Sequence, residues 1–395
     1  MIALVDMNCF YAAIEQADNK QWQHQPVAVT NGKIGTTIIT CSYEARAYGI
    51  TTGMRMQQAR QYCPSLIQAP ARPERYAEVS TRIMAALQQL SPEFEVYSVD
   101  EAFIDMTKQQ ALFASPKQVV SHIHACVNEA AGLPCSVGLS GDKTTAKFAA
   151  KQHKPNGMTV IRPENAATIL APFPVTALSG INRGIAAFLA QHGVTYCGQM
   201  RQIPMSLLAK KYGAIGRRVW LMAQGKDPLP VSSQPSVTKT MSHGKNLPPN
   251  TRQIAVIWTY FQHMAEKLAA RLRAQQCKAK KGYISFKLRP QGWVDKKWSL
   301  AYPTDDGKRL FQLAQKMLAQ SWRGQGVWQV RIVATELIFE QQADLFDATV
   351  EHNERNEINQ LMDQINARYG ELTIAPSRLV KRSTMPNVIT PTWRP

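Results

Sequence analysis

The chain has 395 residues, enough for two to four domains, with 45% apolar content and a formal net charge of +18. That charge favours a polyanionic partner, nucleic acid or an acidic membrane surface, over a neutral or acidic one. No run of ~18 apolar residues is present to span a bilayer, and seven scattered cysteines with no C-x-x-C pair argue against a zinc site or a disulfide frame and read as reduced cytoplasmic thiols.

Residues 2–6, IALVD, form an apolar run closed by an acid, which predicts a buried strand ending at Asp6. The start lacks a basic region and does not read as a signal peptide. NCFYAAIEQ opens a helix, with Asn8 as its expected N-cap. PVAVTNGKIGTTIITCS reads as two strands about a turn with Asn31 and Gly32. YEARAYGI and MRMQQARQYCP are short helices stopped by Gly49 and Pro64. An amphipathic helix is expected from Arg75 to Leu90. A hairpin follows, then a helix near 116–131, the strand PCSVGLS, a helix through DKTTAKFAAKQ, and the turn and strand KPNGMTVI. This order fits an α/β (α+β) architecture built on a split βαβ sheet, with a helical layer and an insertion after the first helix.

The hairpin EVYSVDEAFIDM holds the chemistry. Its flanks are strand-like: Val96, Val99, Phe103 and Ile104 are β-branched or aromatic. Asp100 and Glu101 are adjacent in its middle, where neighbouring side chains of a regular strand would point to opposite faces. One reading is an exposed tight turn. The other uses the sheet: first and third strands of a split βαβ unit can lie side by side, which would gather Asp6, Asp100 and Glu101. Three bare carboxylates repel one another. Mg²⁺ relieves this by taking carboxylate oxygens together with substrate phosphates, and two such ions ~3.5–4 Å apart serve an in-line phosphoryl displacement. With the basic charge added, the metal reading is the stronger. Most of that charge is local, since 239–339 holds 18 lysines and arginines against five acids, a composition able to follow a phosphate backbone.

Four motifs in order, LVDMNCFYAAIE, SYEARAYGI, YSVDEAFIDM and KPNG, resemble the Y-family translesion DNA polymerases, among them bacterial DNA polymerase IV and the catalytic subunit of polymerase V. The resemblance covers nearly the whole chain. It implies a multidomain right hand: a split-βαβ (ferredoxin-like) palm (1–11 and 75–165), small fingers (12–74), a helical thumb with a helix-hairpin-helix (166–234), an α/β little finger (235–340), and a clamp-binding motif with a tail (341–395). It implies template-directed addition of dNTPs to a primer 3′ end, with translesion synthesis as the role. Asp6, Asp100, Glu101 and the Met7 carbonyl match the ligands of two Mg²⁺ ions, with Mn²⁺ as a substitute. Tyr11 matches the aromatic that excludes a 2′-hydroxyl, with Phe10 beside it. Tyr43 and Arg46, one helical turn apart, match the triphosphate pair, completed by Thr40 and Lys154. Ile39 and Gly53 would roof the new base pair, and Cys9 stands where some relatives carry an aromatic. Asp105 is read as structural.

The same resemblance extends along the rest of the chain. VTALSGINRGIAAFLAQHGV matches the thumb hairpin, where Gly180 would let amides approach a DNA phosphate. Asn182 stands where relatives often have Gly, in a left-handed conformation that Asn tolerates. DPLPVSSQPS (227–236) reads as a linker. TKTMSHGKNLPP, with Lys239 and Lys245, opens the DNA-binding little finger, and GYISFKL, QVRIVATELIF, IAVIWTYFQHMAEKLAARLRA and KRLFQLAQKMLAQ suit its strands and helices. Gln342, Leu345 and Phe346 match the pentapeptide that docks on a bacterial sliding clamp. In the tail, NERNEINQLMDQINARYG spaces Ile358, Leu361, Met362 and Ile365 as a helix. Such a tail is closer to polymerase V-type chains, and the two types are not separated here. Partners implied are primer–template DNA, dNTPs, the clamp and SOS accessory proteins. A nucleotidyl cyclase, which also uses paired acids on a split βαβ sheet, and a catalytically dead DNA-binding factor are the alternatives; neither accounts for all the motifs together.

Overall fold

The computed structural model describes residues 1–32, 36–234, 238–339 and 350–381. They fall into two compact units that divide near residue 235.

In the first unit, β1 (Ile2–Met7) leads into α1 (Phe10–Asp18), then β2 (Val27–Thr30), β3 (Ile38–Cys41), α2 (Tyr43–Ala47), α3 (Met56–Tyr62) and β4 (Ile67–Pro70). The chain continues through α4 (Pro73–Gln88), β5 (Phe94–Ser98), β6 (Glu101–Asp105), α5 (Pro116–Ala131), β7 (Cys135–Ser140), α6 (Lys143–Gln152) and β8 (Met158–Val160). Helices α7 (Pro163–Leu170), α8 (Arg183–Gln191) and α9 (Met205–Met222), the last broken at Gly213, close the unit around a third core. The main sheet runs β5-β6-β1-β7-β8, and a small sheet runs β3-β2-β4.

Side-chain alternation sorts the main sheet into two faces. Ala3, Val5 and Met7 face α4 and α5 in the largest core cluster. Ile2, Leu4 and Phe103 face Ala146 and Ala150 of α6. The alanines of α6 lie close to β7 because position 138 is glycine: a Cβ there would stand 2.2 Å from the Ala146 carbonyl oxygen. Asp6 and Glu101 continue the α6-facing rows, so alternation alone brings both carboxylates to that face.

The segment read as a linker is fastened to this face up to Ser232. Val231 is buried on Leu4 and Phe103. Asp227 accepts from the Thr144 hydroxyl at 2.6 Å and from the Arg218 fork, Lys143 reaches the Pro230 carbonyl, and the Ser232 amide donates to Glu95.

The second unit contains β9 (Thr240–Thr251), α10 (Ile254–Ala274), β10 (Lys278–Leu288), β11 (Gly292–Thr304), α11 (Gly307–Ser321), β12 (Val327–Ile338) and the tail helix α12 (Val350–Tyr369). Its sheet, β11-β10-β12-β9, is fully antiparallel, with α10 and α11 packed on the face that carries Ile284, Phe286 and Ile332. The tail forms the helix its spacing predicts. Of its apolar residues Ile358 is 48% and Leu361 57% exposed, Met362 and Ile365 are half-buried, and Asn359 is buried. The helix is held by polar contacts instead: Asp363 in a two-bonded fork with Arg273, and Arg355 near Asp306. Just beyond it, Glu371 pairs with Lys267 and Leu379 is buried.

Candidate active site

The hairpin question resolves as a tight turn that is not exposed. β5 ends at Ser98 and β6 begins at Glu101, so Val99 and Asp100 form the connection. The turn is pinned twice: the Ser80 hydroxyl of α4 donates to the Val99 carbonyl at 2.6 Å, and the Met7 amide donates to the Asp100 carbonyl at 2.9 Å. Asp6 lies directly across from Glu101 in the β1–β6 ladder. Asp105, at the far end of that ladder opposite Ile2, accepts from the Thr107 amide and hydroxyl, so it caps a turn away from the other acids.

Each carboxylate has a holder. Lys154 lies 2.5 Å from Asp6. Lys147 of α6 donates to both oxygens of Glu101, at 2.7 and 2.8 Å. The Ser98 hydroxyl donates to Asp100 at 2.7 Å. Burial pushes the Asp6 carboxyl up to about 6; Lys154 opposes the shift, and the charges of Glu101 and Asp100 add to it. Asp100 is likewise raised by burial and by Glu101, against the Ser98 hydrogen bond. Burial and the neighbouring Lys147 charge lower Lys151. The site is thus an anionic cluster balanced by lysine ammonium groups.

Sequence reasoning missed Lys147 and Ser98. Both had a signal: Lys147 is seven residues before Lys154, and Ser98 is two residues before Asp100. It also misread Asn8. The residue before α1 is Cys9, in a left-handed conformation (φ 41°) with no side-chain cap. Asn8 instead donates to the Ser136 hydroxyl at 3.0 Å and accepts from the Asn156 amide at 2.6 Å, while the Gly157 amide donates to Ser136. Asn8 therefore ties the end of β1 to the KPNG turn, which sets Lys154 against Asp6.

Tyr11 is half-buried on the first turn of α1. Its hydroxyl is pushed up to about 12 by burial and then by the Asp100 charge, so it stays neutral. Phe10 turns into the core, 5.7 Å from the Tyr11 ring. Ser42 caps α2 and also hydrogen-bonds the Val27 amide and the Gln25 carbonyl, anchoring α2 to the small sheet. This places Arg46 over the Tyr43 ring at 4.6 Å. Burial raises the Tyr43 hydroxyl; Arg46 opposes this, and Cys9 and Asp6 add to it. Thr40 is half-buried opposite Val29, and Ile39 and Gly53 lie near it on the same sheet margin.

The more distant candidates divide. In the helical part of the first unit, Gly180 has φ 97°, but only a 3-10 turn, Val175–Ala177, precedes it. Asn182 is extended (φ −80°), and its side chain caps α8 by accepting from the Ile185 amide; it does not adopt the left-handed conformation expected of it. Lys239 and Lys245 belong to the second unit, Lys245 in β9 opposite Val330. Gln342, Leu345 and Phe346 lie outside the described residues.

The donor set suits a hard cation that brings its other ligands with it. No group of three His, Cys, Asp or Glu among the described residues forms a ready cage. Mg²⁺ is the hard cation that takes a few carboxylates together with substrate phosphates. The cavity of about 920 Å³ in the second unit, lined by Lys267, Arg273 and Asp363, contains none of these residues. No helix among the described residues is long and apolar enough to cross a membrane.

The chain matches known proteins along most of its length. The impB/mucB/samB family matches residues 5–151, and the C-terminal domain of that family matches residues 238–345. The chain is 33% identical over 384 residues to DNA polymerase IV of Moorella thermoacetica, covering 94% of each chain. It is 29% identical over 384 residues to DNA polymerase IV of Desulfatibacillum aliphaticivorans, covering 96% of this chain and 97% of that one. A solved Y-family DNA polymerase chimera superposes with a TM-score of 0.75 at 25% identity, covering 86% of this chain and all of the other.

Proposed function

The chain belongs to the impB/mucB/samB family of Y-family DNA polymerases, and we infer that it is a DNA-directed DNA polymerase of translesion synthesis. The observation that carries the reading is the pairing of Asp6 with Glu101 on one sheet face, with Asp100 in the adjoining pinned turn.

In this reading Asp6, Asp100, Glu101 and the Met7 carbonyl hold two Mg²⁺ ions with the dNTP phosphates, and Mn²⁺ can substitute. Bound there, the ions supply charge neutralisation on the triphosphate and activation of the primer 3′ oxygen. The side chains do the rest. Lys147 holds Glu101, and Ser98 holds Asp100, in place before substrate arrives. Lys154, paired with Asp6, offers its ammonium group to the triphosphate. Arg46, held over Tyr43, offers donors to phosphate oxygens, with Thr40 beside it. Tyr11 lies under the sugar and excludes a 2′-hydroxyl; Phe10 backs it from the core.

Primer–template DNA is held by amides near Gly180 and Asn182 and by the basic second unit, including Lys239 and Lys245. Gln342, Leu345 and Phe346 dock on a sliding clamp, apolar side chains filling a cleft, and SOS accessory proteins join the cytoplasmic complex.

Primer extension tests this reading. Purified protein should add nucleotides in the order set by the template, with Mg²⁺ required and chelation abolishing the reaction. Absence of extension, or conversion of a nucleoside triphosphate to a cyclic product, would contradict it.

A further inference from the structure

We propose that Tyr76 is a specificity-determining positioning residue: with Glu15 and Arg72 it fixes the plane of the Tyr11 ring, and so sets how strictly a 2′-hydroxyl is excluded. The inference rests on the reading of Tyr11 as the sugar gate.

Tyr11 and Glu15 are one turn apart on α1 and share a face. Tyr76, from the first turn of α4, engages both. Its ring stacks on Tyr11 with centroids 4.3 Å apart and planes 13° from parallel. Its hydroxyl donates to Glu15 Oε1 at 2.7 Å. The same oxygen accepts from Arg72 Nε at 2.9 Å, and Arg72 also reaches Asp18 at 2.8 Å. Arg75 forks onto both oxygens of Asp18. Two arginines thus bind the end of α1 to the start of α4, and Tyr76 shares Glu15 with one of them.

Tyr76 and Glu15 are 1% and 2% exposed. A carboxylate so buried is costly unless it is paired, and a fully paired polar network holds one geometry where an apolar contact would admit several. Tyr76 is therefore fixed at both ends, by its ring on Tyr11 and by its hydroxyl on Glu15. One turn further along α4, Ser80 holds the carbonyl of Val99, the residue before Asp100. A single helix thus sets both the plane of the sugar-facing ring and the turn that carries a candidate metal ligand. A gate works only if the ring cannot yield to a larger sugar, and Tyr76 supplies that resistance from behind.

The test is single-nucleotide insertion by the full chain, read as the ratio of kcat/KM for a dNTP to that for the matching rNTP. Tyr76→Leu should lower this ratio about tenfold, the size of a ring-pair interaction. Tyr76→Phe, which keeps the stack and removes only the bond to Glu15, should lower it about threefold. In a Tyr11→Ala background, Tyr76→Leu should change the ratio no further, because the ring it acts through is gone. A merely structural role would depress both substrates together and leave the ratio where it was. Should Tyr76→Leu fail to fold, Tyr76→Phe decides alone. Ratios unchanged in the Tyr76 variants, with Tyr11→Ala shifted, would overturn the clasp and leave the gate standing. A ratio unchanged in Tyr11→Ala itself would overturn the gate, and the clasp with it.

Discussion

Glu266, in the middle of α10, is a buried carboxyl whose Oε1 finds no hydrogen-bond partner among the described residues. Burial pushes it up to about 7, the Asp306 charge adds to this, and Arg273 and Arg355 oppose it. Gly307 packs against it: a Cβ there would stand 2.2 Å from Glu266 Oε2, so the carboxyl end would have to shift. The folded protein therefore holds a proton here between about pH 4.5 and 7 that the unfolded chain releases, so this residue makes stability fall as pH rises through that window. His243, half-buried and pushed down to about 4 by loss of solvation and then by the charges of Lys267 and Arg271, acts in the opposite sense below its usual range. The contribution of Glu266 is isolated by difference. Glu266→Gln should match wild type near pH 4.5 and exceed it above pH 7 by on the order of 3 kcal/mol, measured by urea unfolding across pH. A constant difference across pH would show that Glu266 is ionised in the fold. At this scale the sequence was legible where a motif fixes position, as for Asp6 and Glu101, which do lie across from each other with Asp100 in the adjoining turn. It was silent on Glu15 and Tyr76, because a buried carboxylate and a core tyrosine look like surface and core until α1 and α4 are brought together.

Among the elements, α12 is the one whose apolar spacing and placement diverge. Ile358, Leu361, Met362 and Ile365 are spaced as a helix and the helix is there, but Ile358 and Leu361 stay exposed. The helix instead docks through Arg273, which also donates to the Asp305 carbonyl at 2.7 Å, and through Asn359. A contact built on partly exposed ion pairs is weak and sensitive to salt. Asp363→Ala should speed amide exchange in residues 355–369 about fivefold, the effect of roughly 1 kcal/mol, while β10 and β12 keep their protection. Unchanged exchange would mean that Leu379 and the apolar contacts around it hold the tail. Elsewhere periodicity served well. The helices at 116–131 and 254–274 appear at those bounds, because each is long and has one apolar face against a sheet. β4 and β11 were missed for opposite reasons: β4 is short and ends on Pro70, and β11 is an edge strand whose Asp295, Lys296 and Lys297 blunt it against further pairing. The segment 227–232 read as a linker because proline and serine mark linkers, and only the tertiary structure reveals Asp227 and Val231 as anchors.

Across the molecule, charge is distributed by unit. Lys281, Lys287 and Lys297 share the face of the second sheet that alternation turns away from α10 and α11. Replacing the three by alanine should weaken primer–template binding and make its dependence on salt shallower, by about 0.9 in log–log slope for each phosphate no longer neutralised. An unchanged slope would assign the excess charge of 239–339 another purpose. In the proposed function, three carboxylates of the first unit, arranged by one strand pairing and one tight turn, perform nucleotidyl transfer. The most direct measurement compares primer extension and primer–template affinity for the wild type and for Asp100→Ala. The account predicts extension reduced to background, with affinity for the duplex kept within about twofold, since a metal ligand and not a DNA-binding group has been removed. Extension at the wild-type rate by Asp100→Ala would contradict it.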